Sequence, residues 1–199
     1  MTRIKICGIT NLEDAVAAVQ CGAHALGFVF AESPRRMTAE AVREILRRLP
    51  PFVTTVGVFV DEEAEAVREI ARQCRLSALQ FHGAESPDYC HQFDRPVIKG
   101  FRVRDDAIAG EMARYRVAGY LLDSAKGGGA GQPFSWDLAR GLEGPIILAG
   151  GLTPDNVEEA VRLVRPYAVD VSSGVESCPG IKDREKMEAF VWHVRRCDR

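Results

Sequence analysis

The sequence predicts an α/β protein of one domain over residues 1–199, a (β/α)8 barrel of eight parallel strands ringed by helices, and three observations predict it. Short apolar runs alternate with longer segments at helical spacing, the signature of βα units and a parallel sheet. There are eight such runs, about 25 residues apart, which suits one unit each. The strands also carry polar residues on one face: Lys5 and Cys7 alternate with Ile4 and Ile6, Gln80 and His82 with Leu79 and Phe81, Asp170 and Ser172 with Val169 and Val171. An open sheet covered by helices on both faces would be apolar on both, whereas a barrel can turn its polar face to the mouth. At 199 residues the chain stands at the lower limit for this fold, about 200 residues.

The strand runs are Ile4–Cys7, Ala25–Phe30, Thr54–Val60, Ala78–His82, Val97–Phe101, Tyr120–Asp123, Ile146–Gly150 and Ala168–Ser172. A helix over Asn11–Cys21 places Leu12, Ala15, Val16 and Val19 on one face, with Thr10 or Asn11 as N-cap and Gly22 as stop. Thr38–Leu49 begins on a capping Thr and ends at Pro50-Pro51, and Asp61–Cys74 repeats the helical spacing with Ala64, Val67, Ile70 and Ala71. Thr153-Pro154-Asp155 puts Pro at a first helical position, and Asp183–Arg199 forms the last helix.

Charge and composition exclude several classes. With 26 basic and 28 acidic residues, nothing marks a nucleic-acid surface or a polybasic membrane patch. No run approaches the ~20 apolar residues of a membrane helix, and the N-terminus lacks a signal-peptide layout. The six cysteines are widely spread, with no metal-ligand spacing, so reduced thiols in a cytoplasm are expected and no metal or other cofactor is implied. Cys21, Cys74, Cys90, Cys178 and Cys197 read as structural.

Such barrels place their chemistry at the C-terminal ends of the strands. Gly150-Gly151 follows the seventh strand and Ser172-Ser173-Gly174 the eighth, the two loops where backbone N–H groups can cradle a phosphate. Cys7 ends the first strand beside Lys5, whose charge can favour a thiolate base; a small buried hydrophobe is the competing role. Asp123 ends the sixth strand, where it can be a general acid or a loop cap. Arg35 offers a fork for a carboxylate, its neighbour Arg36 reads as a solvated surface cation, and His82 is a wall residue or a substrate hydrogen-bonding partner. The glycines at 127–131 can form a mobile lid; a Walker-type loop is not supported, because no Gly-Lys-Ser/Thr follows them.

Together, Lys5-Ile6-Cys7-Gly8-Ile9-Thr10, Gly27-Phe28-Val29-Phe30 with Ser33-Pro34-Arg35, Val56-Gly57-Val58-Phe59, Leu79-Gln80-Phe81-His82-Gly83, Leu121-Leu122-Asp123, Leu148-Ala149-Gly150-Gly151-Leu152 and Val169-Asp170-Val171-Ser172-Ser173-Gly174-Val175-Glu176 resemble the phosphoribosylanthranilate isomerases of tryptophan biosynthesis. The resemblance runs from residue 3 to about residue 183. It implies a cofactor-free Amadori rearrangement of a phosphosugar-anthranilate substrate, N-(5-phosphoribosyl)anthranilate, to 1-(2-carboxyphenylamino)-1-deoxyribulose 5-phosphate. It also implies Cys7 as general base, Asp123 as general acid, Arg35 on the anthranilate carboxylate, Asp170 near the sugar, and Gly150, Gly151, Ser172, Ser173 and Gly174 on the phosphate. Two positions depart from the usual pattern: Ala130 replaces a hydroxyl residue in the glycine loop, and Ser135 replaces an Asp between Phe134 and Trp136. The alternatives are another phosphosugar-binding barrel enzyme or a non-catalytic sensor of a phosphate ligand. Oligomeric state is open, with a monomer favoured.

Overall fold

The computed structural model describes residues 1–124 and 135–198. Eight parallel strands close into a barrel in chain order: β1 (Arg3–Cys7), β2 (Ala25–Val29), β3 (Thr54–Phe59), β4 (Ala78–Phe81), β5 (Val97–Val103), β6 (Gly119–Ser124), β7 (Ile146–Leu148) and β8 (Ala168–Val171), with β8 pairing back on β1. The helices outside are α1 (Leu12–Cys21), α2 (Ala39–Leu46), α3 (Ala64–Cys74), α4 (Pro87–His91), α5 (Ile108–Met112), α6 (Val157–Val164) and α7 (Arg184–Arg196). The first described helical segment after β6 is a 3-10 turn, Trp136–Ala139. The glycine loop 127–131 and its proposed lid role, with Ala130 and Phe134, fall outside the described residues. Among the described residues no helix is long and apolar enough to cross a membrane.

Local chemistry explains the element ends. Asn11, not Thr10, caps α1 by accepting the Asp14 N–H at 2.8 Å, and Gly22 closes the helix in a left-handed conformation at φ 106°. The α3 helix starts at Ala64, later than expected, because Asp61 adopts φ 50° and leaves the helical path. Pro154 likewise lies in a turn ahead of α6 rather than at its first position. Its neighbour Asn156 accepts the Thr153 N–H and donates to the Gly151 carbonyl, both at 2.9 Å, which stitches the loop after β7. An antiparallel hairpin that the sequence reading did not foresee, β9 (Glu176–Cys178) with β10 (Ile181–Lys182), follows β8. Cys178 is exposed on it, so a packing role fails there.

Alternation along the strands sorts the side chains. Ile4, Ile6, Leu79, Phe81, Leu122 and Val169 face outward into the main core under the helices, where burying each such side chain stabilises by about 1.5–3 kcal/mol. A second cluster of Leu121, Ile147, Ala149 and Ala168, with Ile98 against it, forms a separate apolar layer. The alternate residues Lys5, Gln80, Asp123 and Asp170 are buried and polar. The fold thereby places charged groups on the inner face, out of the apolar layers.

Candidate active site

A cavity of about 290 Å³ at the C-terminal ends of the strands brings together Cys7, Arg35, His82, Asp123, Gly150, Gly151, Asp170, Ser172, Ser173 and Gly174. Lys5 supports it from within the strand. Roomier hollows exist, including one of about 880 Å³ lined by residues of α2 and α3 and one of about 610 Å³ beside β4 and β5. The smaller one is the candidate site, because the candidate acid, base and anion-binding loops converge there.

On the base side, Lys5 and Asp170 are register partners across the β1–β8 seam, and the Lys5 Nζ lies 2.9 Å from both Asp170 oxygens. Both residues are buried, and for Asp170 burial outweighs the pull of Lys5 and holds the carboxyl above its usual range. Burial works to lower the Lys5 pKa, but the charges of Asp170 and Cys7 outweigh it and hold the ammonium above its ordinary range. For the Cys7 thiol, burial pushes the pKa up, and the opposing pull of Lys5 and Lys182 does not cancel it. Burial is the larger influence, and Asp170, which shares the charge of Lys5, adds to it.

The Arg35 guanidinium is already forked: Nε and Nη2 donate to Glu176 at 2.7 and 2.6 Å. Lys182, fully buried, donates to the same carboxylate at 2.8 Å. Burial raises the Glu176 pKa, yet these cations overcome it and hold the carboxyl below its usual range. Arg36, by contrast, is exposed, as its sequence reading expected.

On the acid side, Asp123 Oδ1 accepts the Ser124 N–H at 2.7 Å, and Oδ2 lies 3.1 Å from His82 Nε2. Gln80 reaches the other ring nitrogen of His82, Nδ1, at 3.2 Å. Gly150 sits at φ 81°, and a Cβ there would come within 2.4 Å of Asp123 Oδ1, so loop and acid need glycine at this position. Gly174 is required by close approach instead, since its Cβ would fall 1.9 Å from the Leu152 carbonyl oxygen. The loops after β7 and β8 thus pack backbone to backbone.

Residues 4–193 match the family described as N-(5'phosphoribosyl)anthranilate (PRA) isomerase. The chain belongs to this isomerase family. N-(5'-phosphoribosyl)anthranilate isomerase of Geobacter sulfurreducens is 54% identical over 197 residues, 96% of this chain and 97% of the relative. That of Trichlorobacter lovleyi is 52% identical over 202 residues, 98% of each. Among solved structures, phosphoribosyl anthranilate isomerase from Thermotoga maritima superposes with TM-score 0.94 at 43% identity, covering 98% of this chain and 100% of that one. A phosphoribosyl anthranilate isomerase in complex with reduced 1-(o-carboxyphenylamino)-1-deoxyribulose 5-phosphate gives TM-score 0.91 at 42% identity, covering 98% and 100%. Membership of the phosphoribosylanthranilate isomerases makes the chain an enzyme of tryptophan biosynthesis, and the (β/α)8 barrel is the fold of its structural neighbours.

Within this isomerase, sequence reasoning missed Glu176, Lys182 and Asn156 as parts of the site. Glu176 stood in a quoted motif, but its partner Arg35 is 141 residues away and no spacing links them. Asn156 left a signal that could have been used, an Asn three residues after Thr153 at the head of a helix.

Proposed function

We propose that this barrel mouth rearranges N-(5-phosphoribosyl)anthranilate with Cys7 as base and Asp123 as acid. The observation that carries the assignment is one cavity holding both groups, at the ends of β1 and β6, with anion anchors between and beyond them. Asp123 protonates the furanose ring oxygen; the C1′–O bond breaks toward that oxygen as the anilino nitrogen lone pair forms an iminium. The Cys7 thiolate then takes the C2′ proton, and the released electrons form the C1′=C2′ bond and neutralise the nitrogen. The enolamine becomes the amino ketone by gaining a proton at C1′ and losing one from the C2′ hydroxyl. One base and one acid suffice for this sequence.

Binding follows the same surfaces. The phosphate sits in the cradle of Gly150, Gly151, Ser172, Ser173 and Gly174, whose backbone can approach an anion closely. Arg35 turns the Nη1 edge left over from its Glu176 fork toward the anthranilate carboxylate. Lys5 and Asp170 lie beneath the sugar and set the charge around Cys7. The test is the loss of fluorescence of freshly made phosphoribosylanthranilate on adding the protein. Turnover is expected with no added cofactor, and intact substrate would overturn the reading.

A further inference from the structure

Asp123 poses a problem of proton supply. Oδ1 is occupied by the Ser124 N–H and Oδ2 faces a ring nitrogen of His82, so the proton it must donate has a histidine as its immediate neighbour. The His82 ring packs against Gly100 of β5, where a Cβ would come within 2.8 Å of Nδ1. His82 also stands between two hollows: it lines the active-site cavity and the 610 Å³ cleft beside β4 and β5, with its side chain 20% exposed.

Gln80 completes the chain. It is 2% exposed, and among the described residues its one side-chain hydrogen bond is to His82 Nδ1 and its buried Oε1 has no partner. Amide oxygen and nitrogen are interchangeable by rotation of the side chain, and among the described residues no other hydrogen bond holds either end. With the amide N–H on Nδ1, the ring is neutral and carries its proton on Nε2, toward Asp123. With the amide turned, Oε1 accepts from Nδ1–H, and the ring can be a doubly protonated imidazolium.

Resting on the isomerase reading above, we propose that Gln80, His82 and Asp123 form a proton relay in which His82 stores the proton that Asp123 delivers. In the loaded state Nδ1–H donates to Gln80 Oε1 and Nε2–H to Asp123 Oδ2. As substrate opens, Nε2 gives its proton to Oδ2, Asp123 gives one to the ring oxygen, and the C1′–O electron pair stays on that oxygen as a hydroxyl. The imidazolium becomes neutral with Nδ1–H retained, and a solvent proton reloads the Nε2–Oδ2 pair once product leaves the mouth. His82 is a positioning and relay residue that acts through Asp123, and Gln80 matches its hydrogen bond to the ring's charge.

Three measurements test this. The His82→Gln variant keeps an amide donor for Asp123 but stores no proton; its kcat is expected to fall about 10- to 100-fold while product Kd moves less than about twofold, and added imidazole should restore part of the rate. Loss of product affinity in step with activity, without an imidazole response, would overturn the relay and leave His82 a substrate contact. If His82→Gln does not fold, Gln80→Glu and Gln80→Leu carry the test: the carboxylate keeps an acceptor for Nδ1–H and should retain more of kcat than the leucine, and equal loss would overturn the relay. In wild-type protein with 15N-labelled histidine, product binding should change the proton occupancy of the His82 ring nitrogens; a ring locked in one state would overturn it too. A wild-type protein that does not turn over phosphoribosylanthranilate would fail the underlying reading, whereas an active one with these adverse results fails the relay alone.

Discussion

The two halves of the active site solve the same problem, keeping ionisable groups out of water, by different means. The base half, on β1, β8 and the β9–β10 hairpin, is ionic: Lys5 pairs with Asp170, and Arg35 and Lys182 share Glu176. The acid half, on β4 and β6, is a hydrogen-bonded chain of Gln80, His82 and Asp123. Burial holds the Cys7 thiol toward its protonated form, and the fixed cations oppose that without cancelling it. An acid must give up its proton and recover it each turnover, and a titratable neighbour suits that task better than a permanent charge.

The comparison breaks most visibly at its two ends. Cys7→Ser and Asp123→Asn are each expected to lower kcat by about 10²- to 10⁴-fold in the fluorescence assay, as loss of a general base or acid does. Near-normal activity in either would remove that residue's role. Next in size is Lys5→Met, which leaves Asp170 buried without its cation. A loss of about 3–5 kcal/mol in urea unfolding is expected, and a neutral result would mean that Asp170 takes up a proton at little cost.

The ionic half should also show in pH. Burial leaves Cys7 with a raised pKa, so the thiolate fraction grows as pH rises, and kcat/KM should climb from pH 6 to 8. A flat profile would mean the base is already ionised. Glu176 has a lowered folded pKa, so its stabilisation is full above the unfolded carboxyl value, about 4.3, and is lost as pH falls through the lower folded value. Glu176→Gln should therefore flatten the acid limb of stability below about pH 4. It should also raise KM about 3- to 10-fold with little change in kcat, because Arg35 loses the partner that orients it. Equal acid limbs in both proteins would show that the pair contributes no linkage.

What was legible in the sequence follows from periodicity. Alternation put Lys5 and Cys7 on one face and Asp123 at a strand end, so the inward-facing groups could be named without a structure. The turns after β7 and β8 were legible from their glycines. What could not be read depends on distance along the chain or on competing local geometry. The Arg35–Glu176 fork spans 141 residues, α3 begins late because Asp61 turns left-handed, and Pro154 is drawn into a turn by Asn156. The direction of the Cys7 shift was missed because proximity of a cation says nothing about how deeply the sulfur is buried, nor about a carboxylate already sharing the cation's charge.

The β1–β8 seam has a consequence for how the molecule is made. Cys7 emerges from the ribosome well before Asp170, Glu176 and Lys182, and Lys182 also clasps α1 through its N–H to Asp14 at 2.8 Å. A nascent chain short of these residues has Lys5 beside the thiol without its Asp170 counter-ion and an open sheet edge at β1. The charged cluster around Cys7 therefore assembles only when β8 and the hairpin have been made, in the same step that closes the barrel.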